Sequence, residues 1–153
     1  MRAKDRIAMQ GKWTLVLRDA RTGRFVRRVT AHNVICSAGE TKLAQFLNGE
    51  ITSIAPIYGA VGTGGGTPSP ADTALFSELA RASATSQARS GTSVTFIFFF
   101  GTAQANGTIT EAGLFLVASA TPGSGMLLNH AMLGSNPKTS SLTATLQVQI
   151  TFA

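Results

Sequence analysis

The strictest pattern in the chain is its last run, SLTATLQVQITF, where Leu142, Ala144, Leu146, Val148, Ile150 and Phe152 alternate with Thr143, Thr145, Gln147, Gln149 and Thr151. A period of two residues is that of a strand with one dry and one polar face. The polar face carries no charge, which suits solvent or a hydrogen-bonded contact between subunits. KWTLVLR has the same period, with Trp13, Leu15 and Leu17 on one side. DARTGR then supplies turn residues and RFVRRVTAHNVI resumes the strand pattern, so the two runs form a hairpin with arginines at its tip and along one face. SVTFIFFF is apolar on both sides, and a strand of that kind needs protein over each face. TITEAGLFLVAS and GMLLNHAML read as further strands, ITSIAPIYGAVGTG as a strand interrupted by Pro56, RASATSQARSG as an edge strand or crossing loop, and GSNPKTSS as a loop.

Two stretches read as short helices. In SAGETKLAQFLNG, Ser37 and Glu40 form a capping box, Leu43, Phe46 and Leu47 recur at helical spacing, and Gly49 ends the helix. In TPSPADTALFSELA, Ser69 is placed as N-cap, Pro70 at the first helical position and Asp72 near the positive end of the dipole, with Leu75, Phe76 and Leu79 as a buried stripe. About seven or eight strands with no β-α-β rhythm predict a mainly β chain. The expected architecture is an antiparallel β-sandwich, jelly-roll-like, with two short inserted helices. Residues 1–11 show no apolar period and read as a flexible basic N-terminal arm ahead of a single domain over residues 12–153.

Composition sharpens this picture. At 153 residues the chain has the size of one domain, and its charged fraction of 13% is well below the globular norm of roughly 25%. A surface so poor in charge favours a subunit that buries much of itself against partners. The net charge of +6 lies within the first fifty residues, which hold ten Lys or Arg against four acids. The candidate partner-docking residues are therefore Arg2, Lys4, Arg6, Arg18, Arg21, Arg24, Arg27 and Arg28, suited to an acidic partner surface. Nucleic acid is the weaker partner class, because only Trp13, Phe25 and Phe46 accompany these charges. A lone cysteine, Cys36, excludes an internal disulfide, and no run approaches the roughly 20 apolar residues of a membrane span or forms a secretory signal. The chain reads as soluble.

Chemistry is sparse. GTGGGT precedes a proposed helix, but it lacks the Lys-Ser/Thr of a P-loop and the spacing of a dinucleotide fingerprint. His32 and His130 have no Cys, Asp or Glu beside them at metal-ligand spacing, and no nucleophile elbow is present. No enzyme activity, catalytic residue, metal or cofactor is expected. Glu111, inside an apolar strand, is either a solvated strand start, an internal partner of Arg81 or Arg89, or a candidate subunit contact.

VGTGGGTPSPADTALFSELAR resembles a segment of many tailed-phage virion proteins, in which a strand ending V-G-T-G leads through small residues and Pro to D-T-A-L and an acid-containing helix ending in Ala-Arg. TITEAGLFLV is similar to the strand that follows in those proteins, and KTSSLTATLQVQITF to their closing strand. Together these stretches span about the last two-thirds of the chain. The resemblance implies a non-enzymatic virion structural protein, assembled in the host cytoplasm, with the major capsid protein or tail proteins as partners. A capsid decoration, or cement, protein is the leading expectation, as a homo-oligomer with a trimer among the candidate states. The alternatives are a tail, baseplate or fibre-attachment component, and a carbohydrate-binding module for host attachment.

Overall fold

The computed structural model describes residues 8–153. In chain order the elements are β1 (Met9–Asp19), β2 (Phe25–His32), β3 (Val34–Ile35), α1 (Ser37–Leu47), β4 (Tyr58–Gly62), β5 (Glu78–Ser83), β6 (Ser86–Ser90), β7 (Ser93–Phe100), β8 (Gly107–Leu116), β9 (Met126–Lys138) and β10 (Leu142–Phe152). They form an antiparallel β-sandwich. The first sheet has the order β2-β1-β10-β7-β6 and the second β3-β9-β8-β4-β5. Distant parts of the chain pair in a nested way, β1 with β10, β3 with β9 and β4 with β8. Residues 9–11, expected in the arm, belong to β1, where Met9 lies opposite Phe152.

The alternating runs meet as their period dictates. Trp13, Leu15 and Leu17 of β1, Leu146 and Val148 of β10 and Phe96, Phe98 and Phe100 of β7 turn inward onto Ala112, Leu114 and Leu116 of β8. Each such Leu or Phe contributes roughly 1.5–3 kcal/mol on leaving water. Trp13 Nε1 crosses the core to donate to Asn129 Oδ1 of β9 at 3.2 Å, joining the two sheets. A smaller apolar group, Cys36, Ala60, Leu75, Phe115, Ala118 and Leu127, lies around the second sheet.

Several local expectations change. The helix over TPSPADTALFSELA does not form. Ser69 and Asp72 close a single turn on each other, Ser69 N–H donating to Asp72 Oδ2 at 2.9 Å and Asp72 N–H to the Ser69 carbonyl at 3.0 Å. A helix carried on from this turn would direct the amides of Phe76 and Ser77 to the carbonyls of Asp72 and Thr73, but both donate to Glu111, at 2.9 and 2.8 Å. Only Leu75 of the expected stripe is buried; Phe76 and Leu79 are exposed, and the chain continues as β5. Helix α1 begins after Cys36, which makes no side-chain cap, and the Ser37 amide donates to the Pro70 carbonyl at 2.9 Å. Its other end follows the sequence: Gly49 has φ of +75°, its amide bonds Phe46 O, and the Glu50 amide bonds Gln45 O, a Schellman end. β9 runs on through Pro137 to Lys138, where a loop was expected. Among the described residues the inner face of β7 is covered, whereas on its outer face Ile97 is half-buried and Phe99 is 46% exposed.

Lys138 is almost wholly buried, and its ammonium donates to Gly101 O, Gln104 O and Asn106 Oδ1 at 2.9, 2.7 and 2.9 Å. Burial pushes its pKa below the usual lysine value, while three acceptors match the three N–H groups of the charged form. The side chain thereby staples the loop that carries the chain from β7 in one sheet to β8 in the other. Replacing Lys138 by Met orphans these acceptors and is expected to lower stability by about 3 kcal/mol, measured by urea unfolding.

Candidate functional site

The densest polar cluster is built on the second sheet. Glu111 of β8 lies opposite Gly62 of β4, and His130 of β9 lies opposite Gly113, two positions along β8 from Glu111. Both side chains are fully buried. His130 Nε2 is 2.7 Å from Glu111 Oε2, and Nδ1 is 2.8 Å from Asp72 Oδ2, so the imidazole bridges two carboxyl groups. Two such contacts require two protons. The cluster therefore holds either an imidazolium between carboxylates or a neutral ring with one protonated acid. Glu111 also accepts from three backbone amides: Gly64 to Oε1 at 3.0 Å, Ser77 to Oε1 at 2.8 Å and Phe76 to Oε2 at 2.9 Å. Thr110 Oγ1 adds a bond to Gly64 O at 2.6 Å.

These bonds fasten both ends of the segment from Thr63 to Ser77, which crosses the second sheet as a strap. The glycines at its root follow from the close approach. A Cβ on Gly64 would come within 2.7 Å of Glu111 Oε1, and one on Gly62 would overlap the same carboxylate. Cys36 is fully buried beside the strap, with Sγ 3.9 Å from Ser69 O. Burial first, then the negative field of Asp72 and Glu40, pushes its thiol up to about 12.

Glu111 is thus not a subunit contact, because it exposes no surface to another chain. Nor does it pair with the expected arginines. Arg81 bonds Glu78, with Nη2 2.6 Å from Oε1, and lies over the Phe115 ring at 4.5 Å, while Arg89 donates to Gly91 O. The cluster resembles an acid–base relay in composition, yet none of the three residues lines the surface depressions beside α1, at the β6–β7 edge or at the β1–β10 end. Its polar atoms face one another. Among the described residues no group of three or more His, Cys, Asp or Glu is placed to hold a metal ion.

The candidate docking residues separate into groups. Arg2, Lys4 and Arg6 lie outside the described residues. Arg18, Arg21, Arg24 and Arg28 are exposed on the β1–β2 hairpin. Arg27 is exposed as well, but it lies opposite the inward Leu17 and is tethered, its Nε donating to the buried Asn136 Oδ1 at 2.8 Å. At the tip, the Thr22 amide and hydroxyl, with help from the Arg21 amide, hold the Asp19 carboxyl below its usual pKa. Asp19 therefore shapes the turn. His130, Asp72 and Lys138 were not singled out as site residues from sequence; His130 offered a signal as a polar side chain inside the apolar run MLLNHAML, whereas Asp72 and Lys138 lie in the polar stretches PSPADT and SNPKTSS, which offered none. In comparisons with protein-family models, curated proteins and solved structures, no match is found.

Glu111→Gln keeps the size of the side chain but turns an NH2 toward a donor. Stability is expected to fall by about 3 kcal/mol in thermal or urea unfolding. The same change should speed labelling of Cys36 by an aromatic disulfide reagent, because the strap then opens locally more often. The thiol itself gives a second expectation. Its folded value of about 12 lies above the ordinary 9.0, so between these values the unfolded chain releases a proton that the folded chain keeps. Cys36→Ala should accordingly lose less stability than the wild type as pH rises through that window, as read by paired melting curves.

Proposed function

We propose that this chain is a structural subunit of a tailed-phage particle, most specifically a decoration protein that binds and stabilises the major capsid lattice. One observation carries the reading. The stretches that resemble virion proteins meet in space, and their polar residues are engaged with one another. Gly62, Gly64, Phe76 and Ser77 from the first stretch close on Glu111 from the second, Asp72 from the first joins it through His130, and Arg81 from the first lies over Phe115 from the second. Lys138, which opens the third, staples the loop before β8. The resemblance thus falls on residues that hold the fold together, as expected of a shared architecture rather than a shared reaction.

A decoration protein acts by linkage, since a ligand of the assembled lattice alone shifts the equilibrium away from dissociation. The exposed arginines of the β1–β2 hairpin supply charge for an acidic lattice. The carbohydrate-binding alternative loses support, because Trp13 is fully buried and Tyr58 half-buried, so neither ring is presented as a sugar platform. A tail component shares the same fold argument and differs in abundance. Gel densitometry of purified particles is expected to find this chain in proportion to the major capsid protein; a handful of copies per particle would instead assign it to the tail.

A further inference from the structure

The outward face of the first sheet is basic at one side and apolar at the other. Strand register places Lys12 opposite His32, Val16 opposite Arg28 and Arg18 opposite Phe25, all turned away from the core that Trp13, Leu15 and Leu17 fill. Lys12, Arg18, Arg28 and His32 are exposed. Among the described residues none of the four forms an ion pair, and no Asp or Glu lies on this face. Its middle is the uncharged Thr and Gln row of β10, and beyond that stand Ile97 and the 46% exposed Phe99 of β7. A depression of about 200 Å³, lined by Lys12, His32, Gln10, Gln149 and Thr151, opens on the basic side.

We propose that this face docks flat on a carboxylate-bearing protein surface, with an acidic side chain of the partner entering the depression between Lys12 and His32. Charge complementarity selects that occupant. A second copy presenting the same face would set Lys12, Arg18 and Arg28 either against their own like charges or over Ile97 and Phe99, with no acid opposite them in either arrangement. A nucleic acid would match the basic side but lay phosphates against Ile97 and Phe99. A protein surface offers carboxylates for one side and apolar area for the other. The inference rests on the virion reading only for the partner's identity, which is then the outer surface of the assembled shell.

The test uses the full chain as wild type, as K12E/R28E and as the control K42E/R89E, on α1 and on the inward side of β6, against shells assembled from the major capsid protein, poly-L-glutamate and a short DNA duplex. The wild type is expected to bind shells and poly-L-glutamate, K12E/R28E to bind each at least about tenfold more weakly, and K42E/R89E to stay within about threefold of wild type. Melting curves confirm that the variants fold; if charge reversal disturbs them, Lys12→Gln with Arg28→Gln makes the same comparison. Equal binding of shells by K12E/R28E and wild type overturns the docking face and leaves the virion reading standing. Binding of poly-L-glutamate without binding of shells removes the decoration reading and supports the face. Loss of both kinds of binding in the wild type overturns the face. Tighter retention of the duplex than of poly-L-glutamate, or a wild-type dimer that K12E/R28E turns into a monomer, overturns the choice of a foreign acidic protein as occupant.

Discussion

A carboxyl group buried at the centre of an antiparallel sheet must find donors within the chain, and the second half of this structure is arranged around that need. Glu111 has no contact with water, and an unpaired carboxylate there would cost several kcal/mol. Three amides from the strap and one imidazole meet it. The strap amides that bond Glu111 are unavailable for a helix. The same bonds place Leu75 over Phe115 and Leu127 and enclose Cys36. One side chain thus decides a secondary structure, a surface covering and the accessibility of a thiol.

The sequence made the sheets legible where the period of two was clean. β10 alternates without a break and β1 departs from the period only at Val16, and the structure buries their apolar sides as the pattern requires except at the two ends of β10, where Leu142 is half-buried and Phe152 exposed. The end of α1 was also readable, because Gly49 has a local physical reason to stop a helix. The strap was not readable in the same way. Ser69, Pro70, Asp72 and the apolar residues after them satisfy every local rule for a helix start, but the deciding interaction comes from Glu111, thirty-four positions after Ser77. Local propensity differs by tenths of a kcal/mol per residue, whereas a buried carboxylate is worth several. For the same reason the candidate site was only half visible: Glu111 drew notice as an acid in an apolar strand, but its partner His130 sits across a strand pairing that composition does not reveal. The arginines of the hairpin were evident, and only the register could divide Arg27, held by Asn136, from Arg18 and Arg28 on the outer face.

The two sheets have contrasting exteriors. The second is covered by its own chain, through the strap and α1, and the polar groups there are mutually satisfied. Among the described residues, the first leaves its outer side open, with cations that meet no acid there and an apolar strand side that no other element covers. An uncovered, partly apolar face of this kind marks a contact surface when it is contiguous and rimmed by polar groups. Stabilisation and recognition are thereby assigned to opposite sides of one sandwich, so that changes on the docking side leave the interior fastening intact.

The placement of β10 has a consequence for the order of events during synthesis. It lies in the middle of the first sheet, between β1 and β7, yet it is the last of the ten described strands to be made. Until it emerges, β1 and β7 have no common neighbour, and Phe96, Phe98 and Phe100 have no strand beside them on that side of the sheet. At ribosomal rates of roughly 5–20 residues per second the half-built sheet persists for seconds with its most apolar segment open. The nascent chain passes through an aggregation-prone interval that the finished molecule no longer shows, and it closes when Leu146 and Val148 arrive between Trp13 and Phe98.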